Sequence, residues 1–195
     1  NKDSAYSKYM DDAIFKLPTP LMLSKVVDAM DDLYAQMEKL KETDARGDVY
    51  EYLLSKLKTA GVNGQFRTPR HIIRMMVELV EPKADDVICD PSCGTAGFLV
   101  ESGEYLRANK KEEIFYDKAK KDHFMNHMFH GFDMDRTMLR IGAMNMMTHG
   151  VESPFIEYRD SLSDQNPDND KYTLILANPP FKGSLDADIV SADLL

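Results

Sequence analysis

Asn178-Pro179-Pro180-Phe181 is the stretch whose residue types and spacing could do chemistry. Two consecutive prolines donate no backbone N–H and hold φ near about −65°. The carbonyls of such a turn stay free to accept hydrogen bonds. The Asn178 side chain adds an amide acceptor, and Phe181 adds a ring. An amino group can lie between those acceptors with its flat ring on Phe181, so the turn suits a planar amine such as adenine. Taken alone, Asn-Pro-Pro reads more readily as an ordinary strand-ending turn. Other positions in the chain reverse that.

Three further acidic positions fall at the ends of segments that read as strands: Asp90, Asp133 and Asp160. Between Asp90 and the next helix lies Pro91-Ser92-Cys93-Gly94-Thr95-Ala96-Gly97. Gly94 and Gly97 let a ligand approach the backbone, and the N–H groups of a helix start favour a carboxylate or phosphate. The loop is not Gly-x-Gly-x-x-Gly, so the dinucleotide fingerprint fails. A carboxylate at Asp133 can accept two ribose hydroxyls, and Asp160 can accept from an adenine amino group. Ribose, adenine and an amino-acid head occur together in S-adenosylmethionine.

These positions need elements to hold them. Strands are expected at 86–90, 129–133, 154–158 and 173–177, the last a buried one, with a helix from Phe98 and another over 136–148. Met138, Leu139, Ile141, Met144 and Met147 form the inward face of the second helix. Strands alternating with helices mean a parallel α/β sheet, and open parallel sheets bind ligands at their carboxyl ends. Residues 108–128 read as a charged, partly helical insertion with a solvated face, and 164–171 as a polar loop. Upstream, Thr19 caps a helix starting at Pro20. Its apolar residues Leu23, Val26, Val27, Met30, Leu33, Tyr34, Met37 and Leu40 form a packing stripe. Asp48 and Glu51 resemble a capping box for a second helix that Gly61 ends. Thr68-Pro69 repeats the cap pattern before a helix that stops at Glu81-Pro82.

The 195 residues, 43% hydrophobic, suffice for one domain plus an appendage. No apolar run approaches the ~18 residues of a membrane span, and no signal-peptide pattern is present. The expected setting is cytoplasmic. Cys89 and Cys93 lack a second Cys or His pair, so no metal site is expected, and they read as small buried residues. A net charge of −9 opposes binding DNA through phosphates alone. The chain starts without a methionine and stops soon after its fourth strand, so it is read as part of a longer protein.

Asp90-Pro-Ser-Cys-Gly-Thr-Ala-Gly-Phe98 followed by Asn178-Pro-Pro-Phe181 resembles the amino-methylating DNA methyltransferases. Gln65-Phe-Arg-Thr-Pro-Arg70, Gly131-Phe-Asp133 and Asn145-Met-Met-Thr-His-Gly150 narrow the resemblance to the modification (M) subunits of type I restriction–modification systems. It covers roughly residues 45–190. It implies a Rossmann-like, S-adenosylmethionine-dependent α/β methyltransferase sheet, here truncated on its C-terminal side, behind a helical segment. The corresponding domains are 1–62, helical, and 63–195, the first part of the methyltransferase. It further implies that Gln65, Phe66, Arg67, Thr68, Pro69 and Arg70, with Thr95, Ala96, Gly97 and Asp133, bind S-adenosyl-L-methionine; Asp90, Pro91, Gly94 and Asp160 join that expected cofactor site from their places in the loop and at the strand ends. Asn178, Pro179, Pro180 and Phe181 are then catalytic towards adenine N6. The implied partners are double-stranded DNA, a specificity (S) subunit that reads the site, a restriction (R) subunit and a second M subunit.

Other readings remain open on the residues. Asn-Pro-Pro with an aromatic fourth residue also permits methylation of a protein glutamine or an RNA guanine. A non-catalytic, cofactor-binding assembly module is a further alternative.

Overall fold

The computed structural model describes residues 5–11, 13–14, 16–40, 47, 49–50, 52–54, 68–179 and 190. The expected capping box at Asp48 and Glu51, the stop at Gly61, and Gln65, Phe66, Arg67, Pro180 and Phe181 lie outside them. Four parallel strands form one sheet: β1 (Ile88–Asp90), β2 (Phe129–Asp133), β3 (Phe155–Tyr158) and β4 (Leu174–Ile175), in the order β3-β2-β1-β4. Successive crossovers run outward from β1 to β2 and β3, and the chain then returns to the other side of β1. The reversal between β1 and β4 is the topological switch point, where the crevice of an open α/β sheet forms. Cys89 is in register with Ile175 and Asp90 with Gly131, so the segments after β1, β2 and β4 leave the sheet on one edge.

Besides helical residues at 47, 49–50 and 52–54, where the second upstream helix was expected, the described helices are α1 (Ala5–Met10), α2 (Pro20–Leu40), α3 (Arg70–Val80), α4 (Gly97–Asn109), α5 (Lys111–Phe115), α6 (Lys118–Asn126) and α7 (Arg136–Thr148). Ile88, Phe129 and Ile156 from the strands pack with Leu99, Leu106, Phe124 and Met146 from the helices in the main core. A second cluster joins Ile73 and Val77 of α3 to Phe98 of α4 and to Leu176, just beyond β4. The charged stretch 108–128 is largely helical and is not merely solvated. Ile114 and Phe124 are fully buried, and the Phe124 ring meets Phe115 and Phe129 edge-on at 5.3 and 5.2 Å. Asp117 caps α6 by accepting from the amides of Ala119 and Lys120. No described helix is long and apolar enough to cross a membrane.

Several elements differ from the sequence reading. Residues 5–10, upstream of the first helix expected from the sequence, form α1. The Tyr9 hydroxyl donates to Pro154 O (2.6 Å) and accepts from the Ile156 amide (3.1 Å), so α1 docks on the β3 edge. Thr19 caps α2 through Met22 N (3.2 Å), but Leu23, Val26, Val27, Met30 and Tyr34 of the stripe are exposed. The described residues supply no surface for that stripe to pack on. Strand β4 is an edge of the described sheet, not a buried strand. Ile175 is 59% exposed, and only Leu176 of that stretch is buried. The inward face of α7 is Met138, Leu139, Gly142, Ala143 and Met146, rotated from the expected one. Small residues win there because α7 lies close to the loop after β1. A Cβ on Gly142 would come within 3.0 Å of Gly94 O.

Candidate functional site

The loop between β1 and α4 is held open from three sides. Asp90 Oδ1 accepts from Ser92 N (3.1 Å), which turns the chain out of the strand. Cys93 N donates to Phe132 O, and Ala96 N donates to Cys93 O, tightening the turn. Gly94 and Ala96 both adopt left-handed backbone, with φ of 50° and 61°. Glycine takes that conformation without cost, whereas Ala96 stores of order 1 kcal/mol of strain, offset by the packing of its buried side chain. A Cβ on Gly94 would meet nothing within 4 Å, so the outer face of the loop is open space. The first turn of α4 has no side-chain cap. The first amides of a helix are groups that favour an anion.

Asp133 ends β2 and ties two segments together. Its Oδ2 accepts from Gly94 N (3.0 Å) and its Oδ1 from Asp135 N (2.8 Å). Asp135 in turn caps α7 through Thr137 N (2.7 Å). Each Asp133 oxygen keeps further lone-pair capacity. Asp160, two residues past β3, accepts from Leu162 N (3.0 Å). Its neighbour Ser161 donates from Oγ to Pro91 O (2.6 Å), joining the loops after β1 and β3. Arg159 lies over the Phe132 ring at 4.0 Å and pairs with Asp168, whose carboxylate also accepts from Lys171 and Tyr172. Burial raises the pKa of Asp168, but those hydrogen bonds outweigh it and leave the group at about 2.

Asp90 is 2% exposed. Burial pushes its carboxyl up to about 7, the Ser92 amide opposes the rise, and the charge of Asp133 adds to it. Burial likewise pushes the Cys89 thiol to about 12 and the Cys93 thiol well above its ordinary value, which leaves both inert near neutral pH. No group of three or more metal-ligating side chains occurs among the described residues.

The structure places Thr68 beside the end of β4. Asn178 Nδ2 donates to Thr68 Oγ1 at 2.8 Å. The expected cap is therefore corrected: α3 starts at Arg70, Pro69 occupies the cap position, and no side chain caps it. The Thr68 hydroxyl is used across the site, in a contact between residues 110 apart in the chain. Pro69 is exposed, and Arg70 pairs with Glu101 of α4 (3.4 Å). Asn178 is half-buried and Pro179 exposed.

The sequence-predicted residues thus fall into two joined groups. Asp90, Pro91, Gly94 to Gly97, Asp133 and Asp160 converge on the loop after β1, and Thr68 meets Asn178 at the end of β4. Two holding residues were missed by sequence reasoning. Asn145, fully buried on α7, donates from Nδ2 to Thr95 O (2.8 Å), and Ser161 holds Pro91. The available signal for Asn145 was a polar amide set between Met144 and Met146 in the last turn of α7, at the head of the Asn145–Gly150 stretch. Ser161 carried no comparable signal.

Comparison with known proteins gives this geometry a context. The model of the N-6 DNA methylase family matches residues 41–194. The methylase subunit of type I restriction enzyme EcoEI from Escherichia coli is 30% identical over 176 residues, 89% of this chain and 34% of its own length. The solved EcoKI M protein superposes with a TM-score of 0.56 at 27% identity, over 61% of this chain and 26% of that one. A chain from a study of complex assembly and conformational transition in the type I restriction–modification system superposes with a TM-score of 0.64 at 31% identity. That match covers 73% of this chain and 29% of the other. The chain spans about a third of the length of the curated relatives it matches.

Proposed function

The chain belongs to the N-6 DNA methylase family, and on that premise we propose that it is the first part of the catalytic domain of a type I modification subunit, methylating adenine N6 in DNA. One observation carries the reading. The Asn178-Pro179 segment follows β4, the strand next to β1 at the switch point of the sheet, and the loop after β1 is open at Gly94. The residues of that loop fit S-adenosyl-L-methionine. The uncapped first turn of α4 suits its carboxylate, the open face over Gly94 admits it to the backbone, and Asp133 retains lone pairs for ribose hydroxyls. Pro91, Thr95, Ala96 and Gly97 shape that loop, and Asp90 and Asp160 flank it. When bound, S-adenosyl-L-methionine supplies the electrophilic methyl group.

The residues of the turn prepare the nucleophile. The lone pair of adenine N6 is delocalised into the ring, which makes the amine a poor nucleophile. Asn178 Oδ1 and the Pro179 carbonyl accept its two hydrogens and draw the nitrogen towards tetrahedral geometry. Pro180 stiffens the turn, and Phe181, next in sequence, stacks on the base. Positioning and hydrogen bonding supply much of the rate. The adenine must leave the duplex to reach the turn, at a cost of roughly a few kcal/mol. The net charge of −9 gives the chain little grip on phosphates. A specificity subunit that reads the DNA, a second modification subunit and, in the full system, a restriction subunit are the partners this reading assigns.

The test is methyl transfer to unmethylated duplex by the full-length subunit assembled with its specificity partner, with the product base identified. Asn178→Ala should abolish transfer and leave cofactor affinity nearly unchanged, because the target amine is absent from the binary complex. Normal turnover by that variant, or a methylated base other than N6-methyladenine, would refute the assignment.

A further inference from the structure

Thr68 and Asn178 are brought together by two rigid segments. Pro69 fixes the backbone immediately after Thr68, and α3 begins at the next residue. Ile73 and Val77 anchor α3 against Phe98 and Leu176, and Leu176 precedes Asn178 by two residues. Both ends of the Asn178–Thr68 hydrogen bond are therefore tied to one apolar cluster, so little conformational entropy is lost in forming it. Thr68 is not the cap residue of α3: Pro69 holds that position, and its carbonyl accepts from Ile72 N and Ile73 N. The hydroxyl is the acceptor for Asn178 Nδ2.

An asparagine amide is planar, with an acceptor on one arm and two donors on the other. Holding Nδ2 on Thr68 leaves Oδ1 as the other arm. A target amine needs an acceptor. The reversed amide would present N–H groups to the N–H groups of the amine, and the two would repel. Donation from Nδ2 also polarises the amide and strengthens Oδ1 as an acceptor. Resting on the catalytic assignment of Asn178, we propose that Thr68 is a positioning residue that fixes the Asn178 amide with Oδ1 towards the target amine. Its role in this reaction is distinct from contact with the cofactor.

The test compares Thr68→Val, Thr68→Ser and Asn178→Ala in the full-length subunit with its specificity partner. Single-turnover methyl transfer is measured alongside cofactor affinity and melting temperature. Thr68→Val keeps the shape and removes the acceptor. It should slow transfer about tenfold, the scale of one lost hydrogen bond, with cofactor affinity within about twofold of the parent. Thr68→Ser keeps Oγ and should retain the parent rate within about threefold. The inference is overturned if Thr68→Val transfers at the parent rate while Asn178→Ala is inactive. It is equally overturned if Thr68→Val loses cofactor affinity but not rate, or if Thr68→Ser falls as far as Thr68→Val. Full activity in Asn178→Ala would instead refute the catalytic assignment itself, and the inference with it.

Discussion

Replacing Asp90 by asparagine should stabilise the protein at pH 8 and leave it unchanged near pH 4. The carboxyl lies at the end of β1 with 2% exposure, and burial, reinforced by Asp133, raises its pKa from 3.8 to about 7. In the unfolded chain the group ionises by about pH 4; in the folded chain it holds its proton up to about 7. Between those values the folded state binds a proton that the unfolded state lacks, so stability falls as pH rises through the window. Above about 7 both states are ionised and the cost is complete. A rise of that size corresponds to roughly 4 kcal/mol, and relaxation around the buried charge lowers it, so we expect about 2–4 kcal/mol. The asparagine side chain has the same shape as the carboxyl and can still accept from Ser92 N through its amide oxygen. Urea unfolding of both proteins between pH 4 and 8 reads the effect as a difference, in which other titrating groups cancel. That difference should be near zero at pH 4, grow to about pH 7 and then level off. A constant difference across the range would refute a buried, proton-holding Asp90. So would an Asp90→Asn protein less stable than the parent at pH 8.

Two further substitutions probe the loop. Asp133→Ala should weaken binding of S-adenosyl-L-methionine by about 1.5–3 kcal/mol. It should also lower the melting temperature, because Gly94 N and Asp135 N lose their acceptor. Calorimetry and thermal denaturation check both, and an unchanged dissociation constant would exclude Asp133 from ribose binding. Gly142→Ala should cost about 1 kcal/mol net. The overpacking of roughly 1–3 kcal/mol against Gly94 O at 3.0 Å is partly offset by the better helix propensity of alanine. Cofactor affinity should fall with it as the loop is displaced, and a more stable protein with parent affinity would show that the loop has room to yield.

Much of the sheet was legible in local pattern. The bounds of β2 and α7 agree with the sequence reading to the residue, because β2 is a short segment bracketed by phenylalanines and ending in an acid, and α7 is an apolar-faced stretch ended before Gly150. The acids at the ends of β1 and β2 were readable as strand ends, but the 2% exposure of Asp90 was not, because the loop after β1 folds over it. Periodicity failed for α7 and α2. It located an apolar stripe on each, but it could not say that α7 approaches the β1 loop closely enough to require Gly142 inward, nor what surface faces α2. It also overestimated β4. An apolar run of five reads as buried, whereas burial depends on neighbours supplied from elsewhere in the fold.

By itself, then, the sequence determined the alternation of strands and helices, the open glycine loop after β1 and the acids at the ends of β1 and β2. Each of these follows from backbone rules acting over a few residues. Only the tertiary structure decided that Asp133 clasps Gly94, that Asn145 holds Thr95, and that Thr68, read as a helix cap, instead accepts from Asn178. Those contacts join residues from 39 to 110 positions apart. The physical reason is that hydroxyls and amides bond whatever partner the packing brings near. Strand order and helix docking choose that partner, and no local spacing encodes the choice.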